Sequence, residues 1–289
     1  MRTGKKLELI SPVTDEMITN IPFHCLEEAE SKLISSGKVQ KEWKQTSLSQ
    51  RIGIVENAMN YFKKNRESIA RDITQQMGKP IKEARNEVDG MIQRSEAICQ
   101  FVEDAMKDIY LPKLKGVNRF IRREPLGVVL DISAWNYPLL ITVNVVVPAV
   151  LAGNAVAIKH SSLTPLCAIA FEDAFRIAGA PEGLVIALIL NHQVTENIIQ
   201  SGLIQHVAFT GSVDGGKRIL QSASSRFMDV GLELGGKDPA YIREDADLES
   251  VIPSIMDGVF YNAGQSCCAV ERVYVHESIL SELIEGAVL

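Results

Sequence analysis

Two adjacent cysteines, Cys267 and Cys268, are the residues of this sequence best suited to nucleophilic chemistry. They follow the segment Gly264-Gln265-Ser266 and precede Arg272 in a chain with only five cysteines. A thiol becomes a nucleophile when its surroundings favour the thiolate, and a turn with nearby donors provides this better than an apolar helix. For either cysteine considered alone, a buried structural thiol is the commoner outcome, because cysteine is among the most buried residue types.

The remaining cysteines and the histidines show no spacing typical of a metal site. There is no C-x-x-C pair, and no two of the five histidines stand four residues apart. An odd number of cysteines also argues against a disulfide framework. We therefore expect free thiols and no metal.

Composition and charge exclude several classes of protein. With 46% hydrophobic and 23% charged residues, the composition is that of a globular protein. A net charge of -6 with only short basic pairs argues against a nucleic acid partner. The apolar run 137–152 contains Asn144 and Pro148 and is shorter than the ~20 residues that span a bilayer, so it predicts a buried helix and no membrane anchor. The N-terminus lacks the apolar core of a secretory signal, which favours the cytoplasm.

The elements upstream must position this chemistry, and the first hundred residues are predicted to be mainly helical. Residues 1–25 are typical of an extended arm or of a short strand lying on another surface, and helical periodicity runs over 26–108. Within it, Gly78-Lys79-Pro80 combines a C-cap glycine with a proline that begins a helix of about 25 residues. The segment 111–125 follows as a hairpin arm.

Beyond this arm, strands alternate with helices. Strands are predicted at 128–132, 155–159, 184–190, 206–209 and 229–232, with helices at 137–151, 166–178, 195–201 and 216–222 between them. This alternation predicts an α/β fold with a doubly wound parallel sheet, which binds ligands at the carboxyl ends of its strands. No G-x-G-x-x-G follows the first strand, and Gly211-Ser212 with Gly215-Gly216 at a helix start is only a weak phosphate signal.

Four separated segments together resemble the aldehyde dehydrogenase superfamily in their order and approximate spacing. The resemblance covers nearly the whole chain. The segments are Glu124-Pro125-Leu126-Gly127-Val128 through Trp135-Asn136-Tyr137-Pro138; Lys159 with Thr164-Pro165; Phe209-Thr210-Gly211-Ser212; and Leu232-Glu233-Leu234-Gly235-Gly236-Lys237 leading to Gly264-Gln265-Ser266-Cys267. The resemblance implies a Rossmann-like dinucleotide-binding domain and oxidation of an aldehyde with NAD(P)+ through a thiohemiacetal and a thioester.

The resemblance also implies a role for each matching residue. Cys267 is the nucleophile, Glu233 the general base and Asn136 the amide that holds the oxyanion. Neighbouring residues of an extended segment point to opposite sides, so only one of Cys267 and Cys268 faces the substrate. The implied cofactor-binding residues are Trp135, Lys159, Ser162, Thr210, Gly211, Ser212 and Gly235, and the implied substrate-lining residues are Tyr137, Leu140 and Ser266. Without the resemblance, Ser212 is as well explained as a helix cap.

Two departures from the family pattern bear on function. Where the family commonly has proline and a ribose-binding glutamate after the lysine, this chain has His160 and Ser162. Loss of that carboxylate admits a 2′-phosphate, so we expect NADP or dual use of NAD and NADP. The family also continues well beyond the nucleophile, so we expect a fragment or a truncated product.

The resulting division assigns residues 1–232 to an NAD(P)-binding domain and 233–289 to the beginning of a catalytic domain. A homo-oligomer is expected for a full-length version, with 111–125 as the arm. Two alternatives stay open: an inactive remnant that retains cofactor binding or subunit pairing, and a CoA-acylating relative, against which Glu233 argues. The sequence does not identify the aldehyde.

Overall fold

The computed structural model describes residues 6–288. The chain divides into two compact units, with the division between Glu233 and Leu234. The first unit begins with strands β1 (Lys6–Ile10) and β2 (Met17–Pro22), which pair antiparallel. The extended arm expected over residues 1–25 is thus a short hairpin, although its first five residues lie outside the described part of the chain.

Four helices follow: α1 (Leu26–Trp43), α2 (Leu48–Lys64), α3 (Arg66–Met77) and α4 (Ile81–Met106). The end of α3 agrees with the sequence, because Gly78 adopts a φ of 78° that favours glycine. The break between α2 and α3 was not predicted. It occurs at Asn65, whose backbone amide (3.0 Å) and side-chain amide (2.9 Å) both donate to the carbonyl of Tyr61.

The predicted hairpin arm consists of two very short strands, β3 (Ile109–Tyr110) and β4 (Phe120–Ile121), which pair antiparallel. All four residues of the two strands are exposed. The hairpin therefore presents apolar side chains on its surface.

The centre of the first unit is a five-stranded sheet of β5 (Val128–Ser133), β6 (Ala155–His160), β7 (Val185–Ala187), β8 (His206–Gly211) and β9 (Val230–Leu234). The strand order is β7-β6-β5-β8-β9, and the pairs β5–β6, β5–β8 and β6–β7 are parallel. The connecting helices are α5 (Pro138–Leu151), α6 (Pro165–Ile177), α7 (His192–Gln200) and α8 (Val213–Ala223). Every residue of β5 and β6 is buried, as expected for central strands covered on both faces. The predicted α/β class with a parallel sheet is confirmed.

Most strands end later than the sequence predicted. Pairing of Ser133 with His160 extends β6 by one residue, and β8 and β9 continue through Gly211 and Leu234. Gly211 is therefore the last residue of β8, Lys159 and Glu233 are the second-to-last residues of β6 and β9, and none of the three opens the following loop. β7 is the exception, since it is only three residues long.

The second unit has a single βαβ core. Strand β10 (Asp238–Ile242) pairs parallel with β11 (Val270–Val275), and helix α9 (Leu248–Phe260) connects them. Helix α10 (Leu280–Val288) ends the described chain. Among the described residues, no helix is both long and apolar enough to cross a membrane.

Candidate active site

The carboxyl ends of β5 and β6 place the first group of predicted site residues at one edge of the sheet. Trp135, Asn136 and Tyr137 form the turn between β5 and α5, and all three are half-buried. The turn ends at Pro138, whose fixed φ suits the first turn of a helix. The amide of Ser161 donates to the carbonyl of Ser133 (2.9 Å), which joins this strand end to the loop after β6.

The turn also receives contacts from residues that the sequence did not single out. The ammonium of Lys79 lies 4.0 Å from the centroid of the Tyr137 ring, within the range of a cation–π interaction. Lys79 and Glu87 form an ion pair in which both side chains are only 1% exposed. Tyr137, predicted to line the substrate site, thus has a structural contact as well. No local pattern in the sequence links these residues.

Lys159, at the end of β6, is a buried cation. It is 8% exposed, and burial lowers the pKa of its ammonium. Among residues 6–288, no carboxylate pairs with it. A buried ammonium without an anionic partner is costly, so this side chain fits a ligand that brings hydroxyl or phosphate oxygens. Ser162, three residues on, is exposed.

The end of β8 and the start of α8 form the next part of the edge. Ser212 is the N-cap of α8, and its hydroxyl accepts from the amide of Gly215 (3.1 Å). A Cβ added at Gly211 or at Gly215 would lie 2.7 Å from the Phe209 ring, so a larger residue at either position would displace that ring. The resulting helix N-terminus has exposed amides that suit a phosphate. Thr210, the second-to-last residue of β8, is half-buried.

The two cysteines lie in the second unit, in a turn that precedes β11. The expectation of an extended segment at this point was wrong, so the alternation of side chains does not decide between them. The turn follows Asn262 and Ala263, whose φ angles of 53° and 55° are unusual for residues other than glycine. The left-handed backbone there turns the chain before it reaches the cysteines.

The hydrogen bonds around Cys268 favour its thiolate. Its sulfur lies 3.4 Å from the Ser266 hydroxyl and 3.1 Å from the Tyr261 hydroxyl, and these contacts lower the pKa of the Cys268 thiol. Cys267 is exposed. Ser266, predicted to line the substrate site, also accepts from Tyr261 (2.5 Å). The choice of Cys267 as nucleophile stays a prediction.

The remaining predicted residues are distributed along the chain as follows. Glu233 is exposed near the end of β9. Gly235 follows that strand, and no atom lies within 4 Å of a Cβ built there. Leu140 is half-buried in the first turn of α5. In the part of the chain that the structure describes, no three metal-binding side chains cluster together.

The family model of the aldehyde dehydrogenase family matches residues 1–288 of this chain. Two curated relatives are the 3,6-anhydro-alpha-L-galactose dehydrogenase of Streptomyces coelicolor, 31% identical, and the NADP(+) D-glyceraldehyde dehydrogenase of Thermoplasma acidophilum, 30% identical. The matches cover 98% and 96% of this chain but only 57% and 56% of the relatives. This chain therefore spans little more than half the length of these relatives.

A solved structure shows the same fold. The NADP-dependent glyceraldehyde-3-phosphate dehydrogenase of Bacillus halodurans C-125, complexed with NADP, is 30% identical and superimposes with a TM-score of 0.92. The match covers 99% of this chain and 61% of that one.

Proposed function

This chain belongs to the aldehyde dehydrogenase family, and from that membership we propose that it oxidises an aldehyde to a carboxylic acid with NAD or NADP, using Cys267 as the nucleophile. The observation that carries the cofactor part is the buried ammonium of Lys159 at the carboxyl edge of the sheet. The same edge carries the turn of Asn136, the proposed oxyanion donor, and the N-terminus of α8.

The site residues fit a dinucleotide. Lys159 would hold ribose or phosphate oxygens, which supply the partner that its buried ammonium needs. The amides at the start of α8, behind Ser212, would face a phosphate, and Gly211 keeps the approach free of a side chain. Trp135 and Thr210 belong to the same edge, and Gly235 follows β9.

NADP or dual use is the proposed cofactor preference. Ser162 is exposed and carries no charge that would repel a 2′-phosphate, and the neighbouring His160 is turned into the protein, where its Nε2 lies 3.0 Å from the carbonyl oxygen of Pro138. The cofactor named for the Thermoplasma relative and for the Bacillus structure is NADP in both cases. These observations agree with the absence of a ribose-binding glutamate at position 162.

The chemistry assigns a separate task to each residue. The Cys267 thiolate adds to the aldehyde carbon, and the side-chain amide of Asn136 donates to the oxyanion that forms, an interaction whose loss costs ~3 kcal/mol. NAD(P)+, when held by Lys159 and the start of α8, would supply the acceptor for the hydride that leaves the aldehyde carbon. The carbon is then held by Cys267 as a thioester. Glu233 takes a proton from water, whose oxygen attacks the thioester and releases the acid and the thiol.

The cellular setting forms part of the proposal. An odd number of cysteines argues against a disulfide framework and suits a reducing compartment such as the cytoplasm. The exposed apolar side chains of the hairpin, among them Ile109, Phe120 and Ile121, suit a subunit interface of a homo-oligomer. The proposed partner is a small aldehyde, with Tyr137, Leu140 and Ser266 lining its site.

The first prediction distinguishes the two cysteines. We expect Cys267→Ala to abolish formation of reduced cofactor from an aldehyde, and Cys268→Ala to retain it, as followed by nicotinamide absorbance with NAD and with NADP. We also expect Glu233→Gln to accumulate the thioester, detected as added acyl mass on the peptide containing Cys267. Full activity of Cys267→Ala together with loss in Cys268→Ala would reverse the assignment.

The alternative of an inactive remnant that retains cofactor binding is tested by the same assay. Cofactor binding without any turnover across a panel of aldehydes would support this candidate against the enzyme.

A further inference from the structure

The turn that carries Asn136 is held by two buried side chains that approach it from different elements. His160, at the end of β6, is 4% exposed, and its Nε2 lies 3.0 Å from the carbonyl oxygen of Pro138. Glu87, on α4, is 3% exposed, and its Oε1 accepts from the amides of Leu139 (2.8 Å) and Leu140 (3.3 Å). The first turn of α5 is thus fixed at both its donors and its acceptor.

The contacts determine the tautomer of His160. A carbonyl oxygen only accepts, so Nε2 carries the proton that it donates to Pro138. Nδ1 then accepts from the hydroxyl of Thr164, which lies 2.9 Å away. Burial lowers the pKa of His160 to about 4, so the ring is neutral near pH 7. One imidazole therefore bridges the turn after β5 to the start of α6.

Satisfaction of buried polar groups is the ordinary explanation for such bonds. Here the Pro138 carbonyl also lies 2.9 Å from the Thr142 hydroxyl of the same helix, but that hydroxyl has a single proton and lies 2.8 Å from the Ser133 hydroxyl oxygen as well. The His160 imidazole is the donor that reaches this carbonyl from a different element. It connects the turn to β6, the strand that also carries Lys159, the proposed cofactor contact.

We propose that His160 is a positioning residue, which holds the turn of Asn136 against the end of β6 so that the oxyanion donor and the cofactor-binding lysine keep a fixed relation. The inference rests on the proposed function for the roles of Asn136 and Lys159. The contact itself is independent of them. An oxyanion donor acts only when it is held close to its productive position, so its support matters for rate more than for binding.

The first experiment observes the turn directly and needs no turnover. The chain has two tryptophans, Trp135 in the turn and Trp43, which is buried and donates to the carbonyl of Val150 (2.9 Å). Incorporation of 5-fluorotryptophan gives two fluorine resonances, which Trp43→Phe assigns. We expect His160→Leu to shift or broaden the Trp135 resonance and to leave that of Trp43 in place.

Two variants control for unspecific effects. His24 is a half-buried histidine in another part of the unit, where its Nδ1 accepts from the amide of Ile189 (3.0 Å), so His24→Leu makes the same chemical change away from the turn. We expect it to leave the Trp135 resonance unchanged. His160→Gln keeps a donor for Pro138 and should restore the resonance. His160→Ala, which also removes the donor, replaces His160→Leu if that variant does not fold, and an unchanged Trp135 resonance in folded His160→Ala likewise overturns the proposal. An unchanged Trp135 resonance in folded His160→Leu overturns the proposal.

Kinetics then connect the turn to the reaction. We expect His160→Leu to lower kcat roughly 10- to 100-fold, as for a small misplacement of a catalytic group, with the KM for the cofactor little changed and kcat largely recovered in His160→Gln. A rise in the cofactor KM at constant kcat overturns the positioning role. Failure of the proposed function is recognised separately. In that case Asn136→Ala leaves turnover unchanged, whatever effect His160→Leu has on the fluorine resonance of Trp135.

Discussion

Asp131 is the clearest case of a residue whose ionisation the fold controls. It stands in the middle of β5, it is 1% exposed, and its two carboxyl oxygens lie 2.9 and 2.8 Å from the Ser133 hydroxyl. Burial raises its pKa to about 8. The charged form is disfavoured because no cation among the described residues compensates for its desolvation.

A pH-dependent stability follows from this carboxyl. Its pKa is higher in the folded state than in the unfolded chain, so its contribution is present below about pH 4 and is lost as the pH rises towards 8. We expect Asp131→Asn to stabilise the protein, with a gain in the free energy of unfolding that is about 3 kcal/mol larger at pH 8 than at pH 5. Urea denaturation at both pH values measures it. The exposed Glu42→Gln serves as the control, and equal gains for Asp131→Asn at both pH values would contradict the raised pKa.

Individual residues were predictable where a local pattern fixes their position. Asn136, Lys159 and Ser212 were placed at strand ends from the alternation of strands and helices, and the structure has them there. The partners of the Asn136 turn were not predictable, because Glu87 and His160 reach it across long sequence separations. The same holds for Cys268, whose contacts depend on the left-handed backbone before it.

At the scale of elements, the N-terminus of α8 serves two purposes. Ser212 caps the helix through the amide of Gly215 (3.1 Å), and the amides behind it are the proposed contact to the cofactor phosphate. Asn191 caps α7 in the same manner through the amide of Val194 (2.9 Å), but no cofactor role is proposed for α7. The two caps form a matched pair.

We expect Ser212→Ala and Asn191→Ala to lower the free energy of unfolding by a similar amount, about 1 kcal/mol each, because each loses one capping bond. Only Ser212→Ala should also weaken cofactor binding, measured by titration with NADP. Equal cofactor affinity in both variants would leave Ser212 with the capping role alone.

Helix boundaries show which signals a sequence carries. Gly78 marks the end of α3 because glycine readily adopts the left-handed conformation of a C-cap. Pro80 marks the start of α4 because its fixed φ suits the beginning of a helix. Asn65 stands between α2 and α3 and makes a side-chain hydrogen bond to Tyr61, but asparagine occurs in too many contexts for this break to be predicted. A helix boundary is therefore predictable when it is marked by a residue type, such as glycine or proline, that has few other roles at that position.

At the scale of the whole molecule, the hairpin of β3 and β4 is the surface on which the proposed assembly depends. Ile121 is 53% exposed and Phe120 44% exposed, and the ring of Phe120 lies 5.8 Å from that of Tyr110. Phe227 is also fully exposed but stands outside the hairpin, after α8. These positions allow a comparison of exposed apolar side chains in two settings.

We expect Ile121→Asp to shift the protein towards the monomer in sedimentation velocity, because a charge in an apolar interface is not compensated when it is buried. Phe227→Asp should leave the distribution unchanged. An unaltered oligomer in Ile121→Asp, or a monomer already in the parent protein, would remove the hairpin from the interface.

The strand order β7-β6-β5-β8-β9 has a consequence for synthesis on the ribosome. β5 can pair with β6 soon after it emerges, but its other edge waits for β8, which is made about seventy residues later. At ~5–20 residues per second, the open edge of this apolar strand persists for several seconds. The nascent chain is then most exposed to wrong pairing with other chains, so a chaperone that binds extended apolar segments has its greatest effect on yield during that interval.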